Sequence, residues 1–357
     1  MNNIHSSLNT RVCTLFGVQF PIVQTGMGWV SDARLTAATS EAGALGILAA
    51  ATLTYAQLEQ AVADIKAATD KPFGVNLRAD QEDIQQRLDL LIREGVKVAS
   101  FARAPGKQAI ARLKEAGLVT MPTIGARKHA IKVQDWGVDA VIAQGGEGGG
   151  HTGSVPTSLL LPDVCSAVTL PVLGAGGFRD GKGLVAAMAF GAEGIAMGTR
   201  FLLTQESPVP QHVKERYLVT KLTETVVTKA IDGYPQRVIQ TDMVRRLESA
   251  SPLGKLIQAV KNASAFRAIT SASPLGLLRE ALSSDSKLTP AQLVMGANAP
   301  MLTRASMVDG NLDVGILPTG QVVGLIDRLP TVAELIEEIM TEASDTLVRL
   351  APEATNV

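Results

Sequence analysis

The residues best suited to chemistry lie in the segment 145–153, which reads GGEGGGHTG. It places His151 in a loop that has almost no other side chains, directly after the apolar run 140–143. Glycine allows positive φ and lets a flat or phosphorylated ligand approach the backbone. An imidazole ordinarily titrates near neutrality, which suits proton transfer. We therefore predict an active-site loop with His151 as its acid or base. Glu147 either orients His151 or faces solvent.

Two further glycine loops are typical of phosphate sites. One contains Gly176 and Gly177, and the other contains Gly198 and Thr199. A Cβ atom would keep phosphate oxygens away from the backbone amides, and a threonine adds a hydroxyl donor. We predict that these two loops hold a phosphate together. The next residue, Arg200, either adds positive charge to this site or forms a structural ion pair.

Polar or glycine-rich ends follow two other apolar runs. After the first run, Gly26, Met27 and Gly28 allow the backbone to approach a planar ring on which the methionine can pack. The alternative is a tight turn with a core methionine. Asn76, at the end of the third run, has an amide that can donate and accept hydrogen bonds. The alternative for Asn76 is a helix cap.

The elements that must position these residues alternate along the chain. Continuous apolar runs suit parallel strands that are buried on both faces, and segments of helical period lie between them. Several helical segments end in Ala-Gly or Trp-Gly, which marks a helix end. We predict an α/β fold, a (β/α)8 TIM barrel, with a doubly wound sheet as the rival. The predicted strands are 21–25, 44–50, 73–77, 97–101, 118–123, 140–144, 171–175 and 194–197.

In such a barrel the carboxyl ends of the strands share one face, and the loops after the seventh and eighth strands hold phosphate. All the motifs above follow predicted strands. A phosphate site, a histidine-bearing glycine loop and an amide at strand three together describe a pocket for flavin mononucleotide (FMN). The sequence thus predicts an FMN-dependent enzyme.

We predict three parts along the chain: an FMN-binding barrel (1–204), a helical insert or subdomain over the carboxyl-terminal face (205–299), and a segment that returns to the barrel (300–357). The second part includes predicted helices 251–263 and 275–283, and the third ends in a helix over 331–350. Cations in the second part either clamp a phosphorylated carrier such as coenzyme A (CoA) or only solvate helix surfaces. They include Lys214, Arg245, Arg246, Lys255, Lys261 and Arg267.

Composition narrows the class of protein. The net charge of −1 and the absence of a basic block argue against a nucleic-acid partner. No apolar stretch is long enough to cross a membrane, and the first residues lack a signal-peptide pattern. Two cysteines suit a reducing compartment, so we expect a cytoplasmic protein. The other three histidines lack metal-site spacing, so we expect no metal.

The chain resembles the nitronate monooxygenase (2-nitropropane dioxygenase) family of FMN-dependent barrels, which also includes flavin-dependent enoyl-acyl-carrier-protein reductases. The similar segments are 21–30, 72–77, 137–153, 171–180, 191–201 and 315–324. The resemblance implies that His151 is the catalytic or substrate-polarising histidine. It also implies flavin contacts from Gly26, Met27, Asn76, Gln144, Gly149, Gly150, Gly176, Gly177, Gly198, Thr199 and Gln321.

Segments 24–30, 145–153 and 225–237 are similar to a subgroup that acts on CoA thioesters in steroid-nucleus catabolism. The resemblance implies hydride transfer between flavin N5 and a carbonyl or acyl-CoA substrate, with His151 as acid or base. The alternatives are oxidation of alkyl nitronates with O2 and an NAD(P)H:quinone reductase. The sequence leaves the possibility of an oligomer open.

Overall fold

The computed structural model describes residues 4–249 and 290–351. Eight parallel strands close into a barrel, with neighbours in chain order and the last strand paired to the first. This topology confirms the predicted (β/α)8 barrel and rules out the doubly wound sheet. The barrel strands are β1 (Ile22–Gln24), β2 (Leu45–Ala49), β3 (Phe73–Leu77), β4 (Val98–Phe101), β5 (Val119–Ile124), β6 (Val141–Gln144), β8 (Val172–Ala175) and β9 (Gly194–Met197).

The barrel strands are the continuous apolar runs of the sequence because both of their faces are buried. Side chains such as Ile47, Met121 and Leu173 form one buried cluster. Val12 and Phe16 of the first helix belong to the same cluster. Full burial of one such side chain stabilises the fold by about 1.5–3 kcal/mol.

Helices surround the barrel and end where the sequence predicts. Gly43, Gly95, Gly117 and Gly137 each follow a helix and have positive φ, between 65° and 88°. A side chain rarely adopts this backbone conformation, so the glycines end the helices. The helices are α1 (Arg11–Phe16), α2 (Ala33–Glu41), α3 (Tyr55–Ala68), α4 (Ile84–Arg93), α5 (Lys107–Glu115), α6 (Arg127–Asp135), α7 (Thr157–Cys165), α8 (Gly181–Ala189), α9 (Thr199–Leu202), α10 (Gln211–Leu218), α11 (Asp242–Ser249), α12 (Pro290–Met307) and α13 (Val332–Leu350).

A second, three-stranded sheet joins the barrel to the chain beyond it. Strands β10 (Thr225–Thr228) and β11 (Gln236–Ile239) form an antiparallel hairpin, and β7 (Gly150–His151) pairs with β11. The region 205–299 does contain α10, α11 and the start of α12, but β10 and β11 correct the prediction of helices alone. These strands have only four residues and are partly exposed, so they lack a continuous apolar run.

The predicted helices 251–263 and 275–283, with Lys255, Lys261 and Arg267, lie outside the described residues. The closing helix is confirmed as α13, which begins after Thr331 in a capping box with Glu334. Helix α13 packs closely on α8. Among the described helices, none is both long and apolar enough to cross a membrane.

Candidate active site

The loops that follow β1, β3 and β9 meet at the carboxyl-terminal edge of the barrel. A Cβ atom built on Gly26 would lie 2.4 Å from Cβ of Asn76. One built on Gly198 would lie 3.3 Å from Sδ of Met27. Asn76 donates from Nδ2 to Oγ of Ser100 at 3.3 Å and does not cap a helix. The structure thus brings these predicted residues together.

The glycine loop after β6 folds back on its own strand. Gln144, the last residue of β6, donates from Nε2 to the carbonyl oxygen of His151 at 2.8 Å. A Cβ atom on Gly148 would lie 2.6 Å from Nε2 of Gln144, so a larger residue there would displace the Gln144 side chain. The neighbouring glycine, Gly150, has φ +64° and pairs with Arg237 across the second sheet. The loop is therefore fixed at both ends.

The turn 319–321 packs against this glycine loop. A Cβ atom on Gly149 would lie 2.5 Å from the carbonyl carbon of Thr319. The amide of Gln321 donates to the carbonyl oxygen of Glu147 at 2.9 Å. The amide of Gly320 donates to Oγ1 of Thr199 at 2.8 Å. The predicted residue Gln321 thus lies at the same edge as the other loops.

The two predicted phosphate loops have donors available. Gly176 and Gly177 have φ of +95° and +83°, and within the described residues their amides donate to no protein backbone acceptor. The first amides of α9, from Thr199 onward, also lack intrahelical partners, as at any helix start. Gly28, in the loop after β1, is also close to a neighbouring loop, because a Cβ atom built on Gly28 would lie 3.2 Å from Cγ2 of Thr52. The backbone around 176–177 and 198–199 can therefore bind an anion.

The contacts of Arg200 differ from the two roles predicted from the sequence, which were charge at the phosphate site and a structural ion pair. Its side chain is buried, and Nη2 donates to the carbonyl oxygens of Leu203 at 2.7 Å and Arg328 at 3.1 Å. Burial, and then the charge of Arg328, lower its pKa to about 10. The ion-pair alternative is wrong for the part of the chain described, because no carboxylate there lies within 4 Å. Arg200 instead links two backbone segments.

His151 pairs with a carboxylate that the sequence did not point to. Its Nε2 lies 2.7 Å from Oδ2 of Asp232, although the residues are 81 positions apart. The His151 side chain is 64% exposed, whereas that of Asp232 is only 9% exposed. Burial alone would raise the pKa of Asp232, but the hydrogen bond and charge of His151, together with hydrogen bonds from the amide of Tyr234 and from Gln236, outweigh burial and leave this pKa below its ordinary value. An ionised, buried carboxylate thus orients an accessible imidazole.

The surroundings of Asp232 fix the protonation of the imidazole. Gln236 also donates from Nε2 to Oδ2 of Asp232 and lies 3.2 Å from Nε2 of His151. Oδ2 of Asp232 can accept hydrogen bonds from both Nε2 of Gln236 and Nε2 of His151. We therefore assign the proton of neutral His151 to Nε2. Within the described part of the chain, the other ring nitrogen, Nδ1, has no hydrogen-bond partner, so it then keeps a free lone pair. His151 can therefore accept a proton at Nδ1.

Glu147 neither orients His151 nor faces solvent. Its carboxylate accepts hydrogen bonds from the amide of Thr157 at 2.9 Å and from Oγ1 of Thr157 at 2.7 Å. Thr157 is the first residue of α7, where a carboxylate stabilises the free amides and the positive end of the helix dipole. The orienting role predicted for Glu147 is wrong, and Asp232 has that role.

The sequence contains a weak signal for Asp232. It stands in an Asp-Gly pair, between β10 and β11, within the segment 225–237 of the family resemblance. Asp-Gly is typical of a turn between strands. Because the hairpin itself was not predicted, nothing in the sequence placed Asp232 beside His151.

The hairpin also holds the glycine loop from its other face. Arg237 donates from Nη2 to the carbonyl oxygen of Gly146 at 2.9 Å and from Nη1 to Oγ1 of Thr225 at 3.0 Å. Gln236 and Arg237 are neighbours in β11, so their side chains point to opposite faces. One face of the hairpin therefore orients His151, and the other supports Gly146.

Two of the predicted carrier clamps have other partners. Lys214 is buried and donates from Nζ to the carbonyl oxygens of Thr204 and Ser207, each at 2.8 Å. Arg245 forms an exposed salt bridge with Asp242. The prediction that Lys214 clamps a carrier is therefore wrong. Arg246 has no salt bridge in the described part of the chain.

The remaining titratable groups offer no competing site. His129 lies exposed on α6. Burial raises the pKa of Cys165 to about 11 and also raises that of Cys13, so both thiols are protonated at neutral pH. Residues 4–249 and 290–351 contain no cluster of three or more potential metal-ligating side chains of His, Cys, Asp or Glu.

Known proteins resemble this chain over nearly its whole length. A protein of Rhodococcus jostii (strain RHA1), named (3aS,4S,5R,7aS)-5-hydroxy-7a-methyl-1-oxo-octahydro-1H-indene-4-carboxyl-CoA dehydrogenase, is 56% identical over 95% of this chain and 96% of its own. A Mycobacterium tuberculosis (strain ATCC 25618 / H37Rv) protein of the same name is 54% identical over 94% and 96%. The structure of FabK from Thermotoga maritima superposes with a TM-score of 0.78, at 34% identity, over 96% of this chain and 98% of that one.

The family model described as nitronate monooxygenase matches residues 9–342. This match covers the barrel, the glycine loop with His151, the hairpin with Asp232 and the turn at Gln321. The names of the similar proteins also describe oxidoreductases. The chain is therefore an enzyme of the oxidoreductase class and belongs to the nitronate monooxygenase family.

Proposed function

We propose that this enzyme is an FMN-dependent dehydrogenase that removes hydrogen from the α and β carbons of a CoA thioester. The single observation that carries the proposal is the pair of His151 and Asp232, which places an oriented proton acceptor among ligand-binding loops. The names of two relatives, at 56% and 54% identity, supply the substrate class: a bicyclic octahydroindene carboxyl-CoA.

The residues present fit FMN. The loops at Gly176, Gly177, Gly198 and Thr199 offer backbone amides and a hydroxyl for its phosphate. The crowded contacts at Gly26, Gly148 and Gly149 allow the loops to come together without side chains in the ligand's place. The residues that would surround the ring system are Gly26, Met27, Gly28, Asn76, Gln144, Gly149, Gly150 and Gln321. When bound, FMN supplies a two-electron acceptor for hydride.

The proton step belongs to His151. A thioester carbonyl acidifies the neighbouring α carbon, so a positioned base can remove its proton. Nδ1 of His151 takes that proton while the electron pair moves toward the thioester carbonyl. The pair then forms the carbon–carbon double bond as the β hydrogen leaves with its own electrons. Asp232 stabilises the imidazolium through Nε2, as a buried carboxylate partner does.

The test is an anaerobic titration of the FMN-loaded protein with the octahydroindene carboxyl-CoA of the relatives. We expect the flavin absorbance band to bleach. His151→Ala should retain FMN but slow bleaching by about 10²–10⁴-fold. His129→Ala, on the outer helix α6, is the matched control and should bleach as the parent protein does. Absence of a flavin band after loading with FMN would contradict the proposal.

The second candidate is oxidation of an alkyl nitronate with O2, which the description of the matching family favours. A nitronate is already deprotonated at carbon, so its oxidation does not require His151 to remove an α proton. The same titration with propionate 3-nitronate separates the two. Bleaching by the nitronate alone, with oxygen uptake on admission of air, would replace the first proposal by the second.

A further inference from the structure

Tyr234 lies beside His151 and has no part in the proposed function so far. The two rings have an edge-on arrangement, with centroids 6.1 Å apart and planes at 71°. Tyr234 is 50% exposed, and among the described residues its hydroxyl has no hydrogen-bond partner. By contrast, Tyr217 is fully buried, and its hydroxyl donates to the carbonyl oxygen of Pro318 at 3.0 Å.

One carboxylate holds both the side chain of His151 and the backbone of Tyr234. Oδ2 of Asp232 accepts from His151, and Oδ1 accepts from the backbone amide of Tyr234 at 3.0 Å. The amide of Thr152 also donates to the carbonyl oxygen of Pro235 at 3.1 Å, which holds the two segments side by side. The imidazole and the backbone that carries the phenol are therefore held together.

A phenol and an imidazole whose rings lie side by side suit two neighbouring atoms of one acyl group. The proposed reaction needs a proton acceptor at the α carbon and a hydrogen-bond donor at the adjacent carbonyl oxygen, where negative charge develops. Nδ1 of His151 provides the acceptor. The hydroxyl group of Tyr234 is a hydrogen-bond donor.

We propose that Tyr234 is a catalytic residue that donates its hydroxyl hydrogen bond to the thioester carbonyl oxygen while His151 removes the α proton. This inference rests on the proposed function. No electrons pass through Tyr234, and its proton stays on the phenol oxygen. A donor aimed at developing charge lowers the barrier to proton removal without any need to bind the ground state more tightly.

The test isolates the proton step from the redox step. The FMN-loaded protein is reduced with dithionite without oxygen, so that no hydride can leave the substrate. The octahydroindene carboxyl-CoA is then added in D2O, and mass spectrometry follows exchange of its α hydrogen. Isothermal titration with the same reduced protein gives the dissociation constant of the thioester.

We expect Tyr234→Phe to slow exchange by about 10²-fold, with a much smaller change in the dissociation constant. Tyr55→Phe, at the start of the outer helix α3, is the control and should exchange at the parent rate. An exchange rate for Tyr234→Phe within about tenfold of the parent would overturn the proposal, as would an equal loss of binding and exchange. A parent protein that exchanges no α hydrogen would instead overturn the proposed reaction itself, and this inference with it.

Discussion

The amide of Gly320 donates to Oγ1 of Thr199 at 2.8 Å, across 121 positions of the chain. Both residues are buried, and Thr199 begins the short helix that follows the last barrel strand. This hydrogen bond attaches the returning segment to a predicted phosphate loop. The turn at Gln321 is thereby held over the carboxyl-terminal face of the barrel.

Thr199→Val should therefore weaken the fold at this point. Valine keeps the shape of threonine but leaves the buried amide of Gly320 without an acceptor, which costs about 1–3 kcal/mol in the free energy of unfolding. Chemical denaturation of the FMN-free protein measures this loss. Thr199→Ser keeps the oxygen and should lose less than half as much. Equal losses for the two variants would show that the methyl group matters and the hydrogen bond does not.

Asp232→Asn should lower kcat with little change in KM. The amide cannot balance the charge of an imidazolium and can donate to Nε2, which moves the proton of neutral His151 to Nδ1. We expect a decrease in kcat of about 10²-fold or more, from steady-state rates with the CoA thioester. The bound FMN spectrum should not change. Asp232→Glu should recover part of the rate. If Asp232→Asn were as fast as the parent protein, the orienting role of Asp232 would be refuted.

The contribution of Asp232 to stability should depend on pH. Its pKa is lower in the folded protein than its ordinary value of about 3.9. A depressed pKa means that the stabilisation is fully present above the unfolded pKa and is lost as pH falls through the folded pKa. The difference in unfolding free energy between the parent and Asp232→Asn should therefore shrink from pH 6 to below about pH 4. Denaturation at several pH values measures it, and a difference that grows on acidification would contradict the assignment.

Arg237→Ala should loosen the glycine loop and weaken FMN binding. The substitution removes the donors to the carbonyl oxygen of Gly146, and a partly buried hydrogen bond from a charged group contributes about 1.5–3 kcal/mol. If that loss appears in binding, the dissociation constant of FMN should rise by at least about tenfold, measured by fluorescence titration of the FMN-free protein. Arg245→Ala removes an exposed salt bridge and should leave FMN affinity unchanged. An equal effect of both variants would point to general loss of positive charge.

The barrel was predictable because its signals are local. Runs such as 140–143 and 194–197 are apolar throughout, since a strand buried on both faces contacts no water. Glycines such as Gly95 and Gly117 end helices through their own backbone conformation, which requires no distant contact. The convergence of Gly26, Asn76 and Gly198 then follows from the closure of parallel strands into one barrel.

The second sheet was not predictable in the same way. Strand β7 has two residues, and β10 (Thr-Val-Val-Thr) and β11 (Gln-Arg-Val-Ile) mix polar with apolar residues, so none of them forms the continuous apolar run that marks a barrel strand. Their stability comes from pairing between segments far apart in the chain. The same limitation explains why the role of Glu147 was not predicted. Glu147 is near His151 in sequence, but its carboxylate binds the start of α7.

The sequence by itself determined the barrel, the family and the loops that meet at the carboxyl-terminal face of the barrel. These features follow from the burial and the backbone conformation of individual residues, and both depend on local residue types. Only the tertiary structure decided which carboxylate orients His151, and that Tyr234 stands beside it. Those relationships depend on a hairpin that folds back over the barrel. Pairing between short strands that are far apart in the chain does not produce a recognisable pattern in the local composition.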